Sequence, residues 1–164
     1  MIEKNKGSQA NVSGKLLERT VKEVFLSKGF QLVPYSEWKK NPEKFGNELL
    51  LTRIPFVTIY KHPGHTEFLA VSQKYNFKIR IECKWQQAAG SVDEKLPYLY
   101  LNCIEAMPEE KIIIIIDGGG PKRGSIEWLK NSAKQNRYNK TGIPKDILVF
   151  SLTEFMAWSN KTLR

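Results

Sequence analysis

The stretch Phe77-Lys78-Ile79-Arg80-Ile81-Glu82-Cys83-Lys84-Trp85-Gln86 decides how the rest of the chain is read. From 77 to 84 apolar and charged residues alternate, with Phe77, Ile79, Ile81 and Cys83 on one side and Lys78, Arg80, Glu82 and Lys84 on the other. Strand side chains alternate with a period of two, so Glu82 and Lys84 share a face, roughly 7 Å apart along it. A carboxylate and an ammonium so placed at a strand end suit the holding of a divalent cation and a water against a phosphate. Just upstream, Gly64-His65-Thr66-Glu67 adds an acid on the preceding strand.

Working outward, the signals alternate between helix and strand. Residues 14–28 read as a helix: Ser13 is placed to cap it, Leu17, Val21, Val24 and Lys28 follow helical spacing, and Gly29 suits a left-handed end. Residues 30–33 read as a short extended piece and 34–47 as a loop. Residues 49–54 and 56–60 read as strand, with Pro55 a break or bulge, and His62-Pro63-Gly64-His65 as the turn into 66–72. A second turn at Tyr75-Asn76 leads to 77–84, completing an antiparallel meander.

Ser91 and Glu94 have capping-box spacing, while Pro97 would suit the first turn of a helix starting slightly later; Leu96, Leu99, Cys103 and Met107 then follow helical spacing until Pro108. Lys111–Asp117 is apolar on both faces, as expected of a central strand. Ser125 is placed to cap a helix to about Arg137, 147–152 reads as a buried strand, and 153–160 as a terminal helix. The order α-β-β-β-α-β-α-β-α predicts an α/β fold, a mixed sheet flanked by helices.

With 164 residues, the chain is expected to form one domain over 13–164 behind a flexible polar tail, 1–12. A net charge of +9 and a pI near 9.5 point to a polyanionic partner. Two cysteines and two histidines without paired spacing exclude a standard structural zinc site, and imply reduced thiols in a cytoplasmic setting. No apolar run is long enough to span a membrane.

The pattern resembles the PD-(D/E)XK nuclease superfamily, the restriction-endonuclease-like fold with an αβββαβ core. The resemblance runs from Ser13 to Leu152 and rests on Glu18, Glu67, Glu82-Cys83-Lys84 and Gln86. Ser13-Gly14-Lys15-Leu16-Leu17-Glu18 is similar to the first-helix opening of Holliday junction resolvases and many restriction enzymes. Ile81-Glu82-Cys83-Lys84-Trp85-Gln86 looks like the Glu-x-Lys-x-Gln form of the family motif. No Asp precedes Glu82 in the chain, so Glu67 stands where the family usually has Asp.

The resemblance implies an Mg²⁺-dependent endodeoxyribonuclease, with Mn²⁺ as a substitute. Glu67, Glu82, the Cys83 backbone carbonyl and Glu18 would hold the cation, while Lys84 and Gln86 would position water or phosphate. A compact restriction endonuclease, or the small cleavage subunit of one, is the expected role, with specificity left to loops or a partner. Double-strand cutting would need a homodimer or a larger partner subunit. A Holliday-junction-resolvase-like enzyme and an inactive DNA-binding module are the alternatives.

Gly118-Gly119-Gly120-Pro121-Lys122-Arg123-Gly124 fails both common nucleotide-loop patterns, because Ser125 and Arg123 stand where Lys and Gly are required. With Lys130, Lys134 and Arg137 at helical spacing, Lys122 and Arg123 read instead as DNA-backbone contacts. Asp93 and Glu94 read as helix-start residues, and Asp117 ends a strand where α/β sites often sit.

Overall fold

Five consecutive isoleucines set the middle of the molecule. Ile112–Ile116 are all buried, Ile113 and Ile115 on one side and Ile112, Ile114 and Ile116 on the other. A strand apolar on both faces must be covered on both, and it lies well inside a six-stranded sheet. The computed structural model describes residues 4–87 and 90–164.

The strands are β1 (Gln31–Pro34), β2 (Glu48–Val57), β3 (Pro63–Ser72), β4 (Phe77–Trp85), β5 (Lys111–Asp117) and β6 (Asp146–Phe150), in spatial order 1-2-3-4-5-6. β2, β3 and β4 form the antiparallel meander, whereas β1 with β2, β4 with β5 and β5 with β6 are parallel. The helices are α1 (Lys4–Ser27), α2 (Tyr35–Trp38), α3 (Leu96–Leu101, continued by a π turn over Asn102–Ala106), α4 (Arg123–Gln135) and α5 (Leu152–Thr162).

Leu17, Val21 and Phe25 of α1 and Phe155 of α5 pack on Phe68, Ala70, Ile79, Ile81 and Cys83. Leu96, Leu99 and Tyr100 of α3, with Leu129 and Ala133 of α4, cover the opposite face. A mixed sheet between two helical layers is the expected α/β, restriction-endonuclease-like architecture.

Several local readings are corrected. α1 runs back to Lys4 instead of starting at Ser13, because extending an already docked helix costs far less than nucleating one. The expected tail 1–12 is therefore helical from Lys4, and residues 1–3 lie outside the described residues. Gly29 does end the helix, at φ +89°. Tyr35–Trp38, read as loop, makes one helical turn, with Tyr35 and Trp38 packed on the cluster of Val33, Leu49, Leu51, Ile54 and Leu69.

Pro55 does not interrupt β2. β1 pairs only with Leu49–Thr52, so beyond that point β2 is an edge on one side and the missing N–H goes unneeded. The hairpin turn lies at Thr58–His62, and Pro63 and Gly64 are already paired with Val57 and Phe56.

Neither serine expected to start a helix does so. α3 has no side-chain cap and carries Pro97 in its first turn, while Ser91 accepts a hydrogen bond from Gln86. α4 begins at Arg123, and Ser125 lies inside it. Among the described residues no helix is long and apolar enough to cross a membrane.

Candidate active site

Because β4, β5 and β6 are parallel, their C-terminal ends meet at one edge of the sheet, with Trp85 beside Asp117. Here β3 parts from β4: the last registered pair is Phe68 with Ile81, and Glu67 falls just beyond it. Instead of continuing the ladder, the Glu67 carboxylate accepts a hydrogen bond from the Cys83 N–H at 2.9 Å. This bond holds the Glu67 side chain against β4 beside Glu82.

The regular alternation of both neighbouring strands slips at this point. Phe68 faces α1, yet Thr66 bonds Arg80 on the other side of the sheet. In β2, Leu49, Leu51 and Ile54 share one cluster, although 54 is out of step with 49 and 51. The slip coincides with Arg53, whose φ of +57° is left-handed, directly across the hairpin from Glu67.

Glu82 is buried on the sheet face that α3 and α4 cover. Burial, with the Glu67 charge beside it, pushes its carboxyl up to about 8 against the opposing pull of Lys84. Lys84 makes an ion pair with Glu82 Oε1, while Glu82 Oε2 is buried with no hydrogen-bond partner. For Lys84, burial disfavours the charged ammonium, but Glu82 and Glu67 together outweigh it and raise its pKa. Glu18, half-buried on α1, is also raised, by burial first and then by Glu67, while Lys84, Lys15 and His65 pull it down. Glu18, Glu67, Glu82 and Lys84 thus act on one another as a coupled set.

The donor set fits a hard divalent cation. Two adjacent carboxylates repel unless a proton or cation sits between them, and the bare Oε2 of Glu82 is an acceptor with nothing to accept from. Among the described residues no group of three or more His, Cys, Asp or Glu is disposed to hold a metal by itself. Backbone, water or substrate oxygens would have to complete the shell.

Gln86 is placed by its backbone. Its N–H donates to Asp117 O at 2.9 Å, and its carbonyl accepts from Gly120 N at 2.8 Å. Its side-chain amide donates to Ser91 Oγ at 3.2 Å. Asp117 is a structural acid, accepting from Gly118 N at 2.7 Å and Leu152 N at 2.9 Å. Asp93 opens the short 3-10 turn Asp93–Lys95, in keeping with its reading as a helix-start residue, and also reaches the start of α4: it accepts from the Lys122 N–H at 3.0 Å and the Ser125 hydroxyl. Those bonds, Ser125's first, hold the Asp93 carboxyl below its ordinary range.

The five expected DNA contacts separate. Lys122 is exposed at the start of α4, whereas Arg123 is paired with Glu127 at 2.7 Å and Lys130 with Glu154 at 3.2 Å. Lys134 lies roughly 18 Å along the helix from Lys122, and Arg137 just past its end. Arg137 donates to Gln135 at 2.9 Å. The stripe therefore leads away from the edge where Glu67 and Glu82 meet. Both cysteines are buried free thiols, and burial pushes Cys103 up to about 12 and Cys83 well above its ordinary value.

A buried ion pair on the same sheet face was not anticipated. Arg80 donates to both carboxylate oxygens of Glu109, to Thr66 at 3.1 Å and to Ile54 O at 3.4 Å. It ties β4 to the kinked hairpin just behind Glu67. The alternation of β4 shows that Arg80 shares a face with Glu82, but nothing in the sequence near it marks Glu109 as its partner.

Compared with known proteins, residues 9–163 match the family model of a PD-(D/E)XK nuclease superfamily domain. No curated protein and no solved structure matches the chain.

Proposed function

The chain belongs to the PD-(D/E)XK nuclease superfamily, and from that premise we propose that it cuts DNA as an endonuclease, with Mg²⁺ as cofactor and Mn²⁺ as its substitute. The observation that carries this reading is the meeting of Glu67, Glu82 and Lys84 around a buried carboxylate oxygen with no hydrogen-bond partner.

Glu67 and Glu82 would hold the cation, with Glu18 and the Cys83 carbonyl as further oxygen donors. When bound, the cation would polarise the scissile phosphate and ease deprotonation of the attacking water. The chain's own part is positioning. The Cys83 N–H keeps Glu67 from swinging to solvent. Lys84, whose ammonium form Glu82 and Glu67 favour against the opposing effect of burial, donates to the phosphate or to water and stabilises negative charge growing there. Gln86 supports the same edge through its ties to Asp117 and Gly120.

One such site opens one strand. A double-strand cut needs a second copy or a larger partner subunit, in keeping with a compact restriction endonuclease or its cleavage subunit. We read 13–164 as one nuclease domain, with Lys122, Lys134 and Arg137 as outlying phosphate contacts.

The test is nicking of supercoiled plasmid with Mg²⁺ or Mn²⁺. Glu82→Ala and Lys84→Ala should each lower the rate by about 10²–10³-fold, the usual scale for losing a group that stabilises transition-state charge. Metal-dependent nicking that survives both substitutions would sink the assignment. Preferential cutting of a four-way junction would favour the resolvase-like alternative. If the wild type binds DNA but does not cut, and Glu67→Asp restores cutting, the extra methylene of Glu67 is the defect.

A further inference from the structure

Next to the coupled carboxylates, between α1 and the kinked β2–β3 hairpin, lies a groove of about 430 Å³. Its lining joins Glu18 and Glu67 to Lys15, Lys22, Arg53 and His65. Lys15, Arg53 and His65 are exposed, Lys22 is half-buried, and none of the four has an ion-pair or side-chain hydrogen-bond partner among the described residues. Arg19, which also lines the groove, is held by Glu23, and away from it Arg123 and Lys130 are each held by a glutamate.

Arg53 carries the most information. A left-handed backbone is unfavourable for any residue with a Cβ and free for glycine, so Arg at φ +57° is kept against the local preference. Its kink is the partner of the one that frees Glu67 from the ladder, so one distortion places both a carboxylate and a guanidinium at the groove. Of the five non-glycine residues at positive φ among the described residues, Arg53 is the one that lines this groove, and strain kept beside a site points to a role there. A planar guanidinium beside a cation-binding pair of carboxylates is suited to grip a phosphate bidentately.

We propose that this groove is the seat of the DNA strand being cut, with Arg53 gripping a backbone phosphate next to the scissile one and Lys15, Lys22 and His65 lining its path. This assignment rests on the nuclease reading above. It puts the principal backbone contact on α1 and the hairpin, not on the stripe along α4. Arg53 is a positioning residue: it reaches the substrate backbone, and Glu67, Glu82 and Lys84 meet the reacting phosphate.

Arg53→Gly separates strain from function, because it relieves the backbone while deleting the guanidinium. Wild type, Arg53→Gly and Arg53→Lys are compared by thermal melting, by plasmid nicking in Mg²⁺, and by fluorescence anisotropy of a labelled DNA duplex over a KCl series. The expected result is an Arg53→Gly protein at least as stable as wild type that nicks about tenfold more slowly. Its binding should weaken, and the slope of log affinity against log salt should become shallower by about one. Arg53→Lys should recover the slope but only part of the rate.

An Arg53→Gly protein with wild-type nicking, affinity and salt slope overturns the groove assignment and leaves the nuclease reading standing. An Arg53→Gly protein that melts lower while binding and nicking normally assigns Arg53 to the fold and likewise overturns it. A wild type that neither binds nor nicks DNA overturns both readings together.

Discussion

Glu82 is a carboxyl in a place that favours its neutral form. Its pKa stands at about 8 against an ordinary 4.5, chiefly through burial. Below pH 4.5 the folded and unfolded chains are both protonated there, so the group contributes nothing. As pH rises, the unfolded chain releases the proton first, and the cost to the fold grows until the folded value is passed. Metal-free protein should therefore lose thermal stability between pH 4.5 and 8. Glu82→Gln should flatten that slope and melt higher than wild type at pH 8, while abolishing nicking. Added Mn²⁺ should raise the melting temperature of wild type at pH 8 and leave Glu82→Gln nearly unmoved. Equal pH slopes for the two proteins in melting scans would sink this account.

At the scale of elements, the site edge is assembled by loops that borrow partners from distant segments. Gly118 has φ +106°, and a Cβ there would stand 2.7 Å from the Gln86 carbonyl carbon and 2.9 Å from its nitrogen. Gly118→Ala should cost at least about 1–2 kcal/mol from the left-handed conformation alone. It should also slow nicking by displacing Gln86; a variant that loses stability but keeps full activity would detach Gln86 from the site. Asp93 caps α4 from thirty positions away, with its carboxyl pKa lowered by Ser125 and then by the Lys122 N–H. Its contribution is present above the ordinary Asp value of 3.8 and fades as pH falls through the lowered one. Asp93→Asn should thus lower the melting temperature at pH 7, and the gap to wild type should narrow as pH falls below 3.8. α5 shows the local alternative: Ser151 and Glu154 form a complete capping box within one turn.

For the whole molecule, a buried cation reinforces the join between the kinked hairpin and the rest of the sheet, beyond the end of the β3–β4 ladder. Arg80 is 1% exposed and Glu109 7%, and the guanidinium also serves Thr66 and Ile54. Removing one member strands the other's charge, so Glu109→Ala should destabilise by about 3–5 kcal/mol in urea unfolding. Replacing both, Arg80→Met with Glu109→Met, should recover much of that loss. Nicking should still fall in the double variant, since Thr66 next to Glu67 loses its anchor. A double variant as unstable as the single one would show that the surrounding packing needs the ion pair itself.

The order of elements, the central isoleucine strand and the meander were legible in the chain, because side-chain period and apolar runs are local properties. So were Glu67, Glu82 and Lys84 as a constellation: they lie on neighbouring strands, and a period of two leaves Glu82 and Lys84 no choice of face. Where helices begin was less legible, since Ser13, Ser91 and Ser125 all have the right chemistry for caps while the partner chosen at α4 is Asp93. The left-handed Arg53 and the pairing of Arg80 with Glu109 had no local sign. Side-chain alternation can turn over at a kink while the strand register runs on, as it does between the Thr52–Phe68 and Ile54–Thr66 pairs, and a buried charge finds its partner through space. The sequence by itself determined the fold class and the chemistry brought to one edge. Only the tertiary structure decided which cations are paired among the described residues, because pairing depends on distances between elements far apart in the chain.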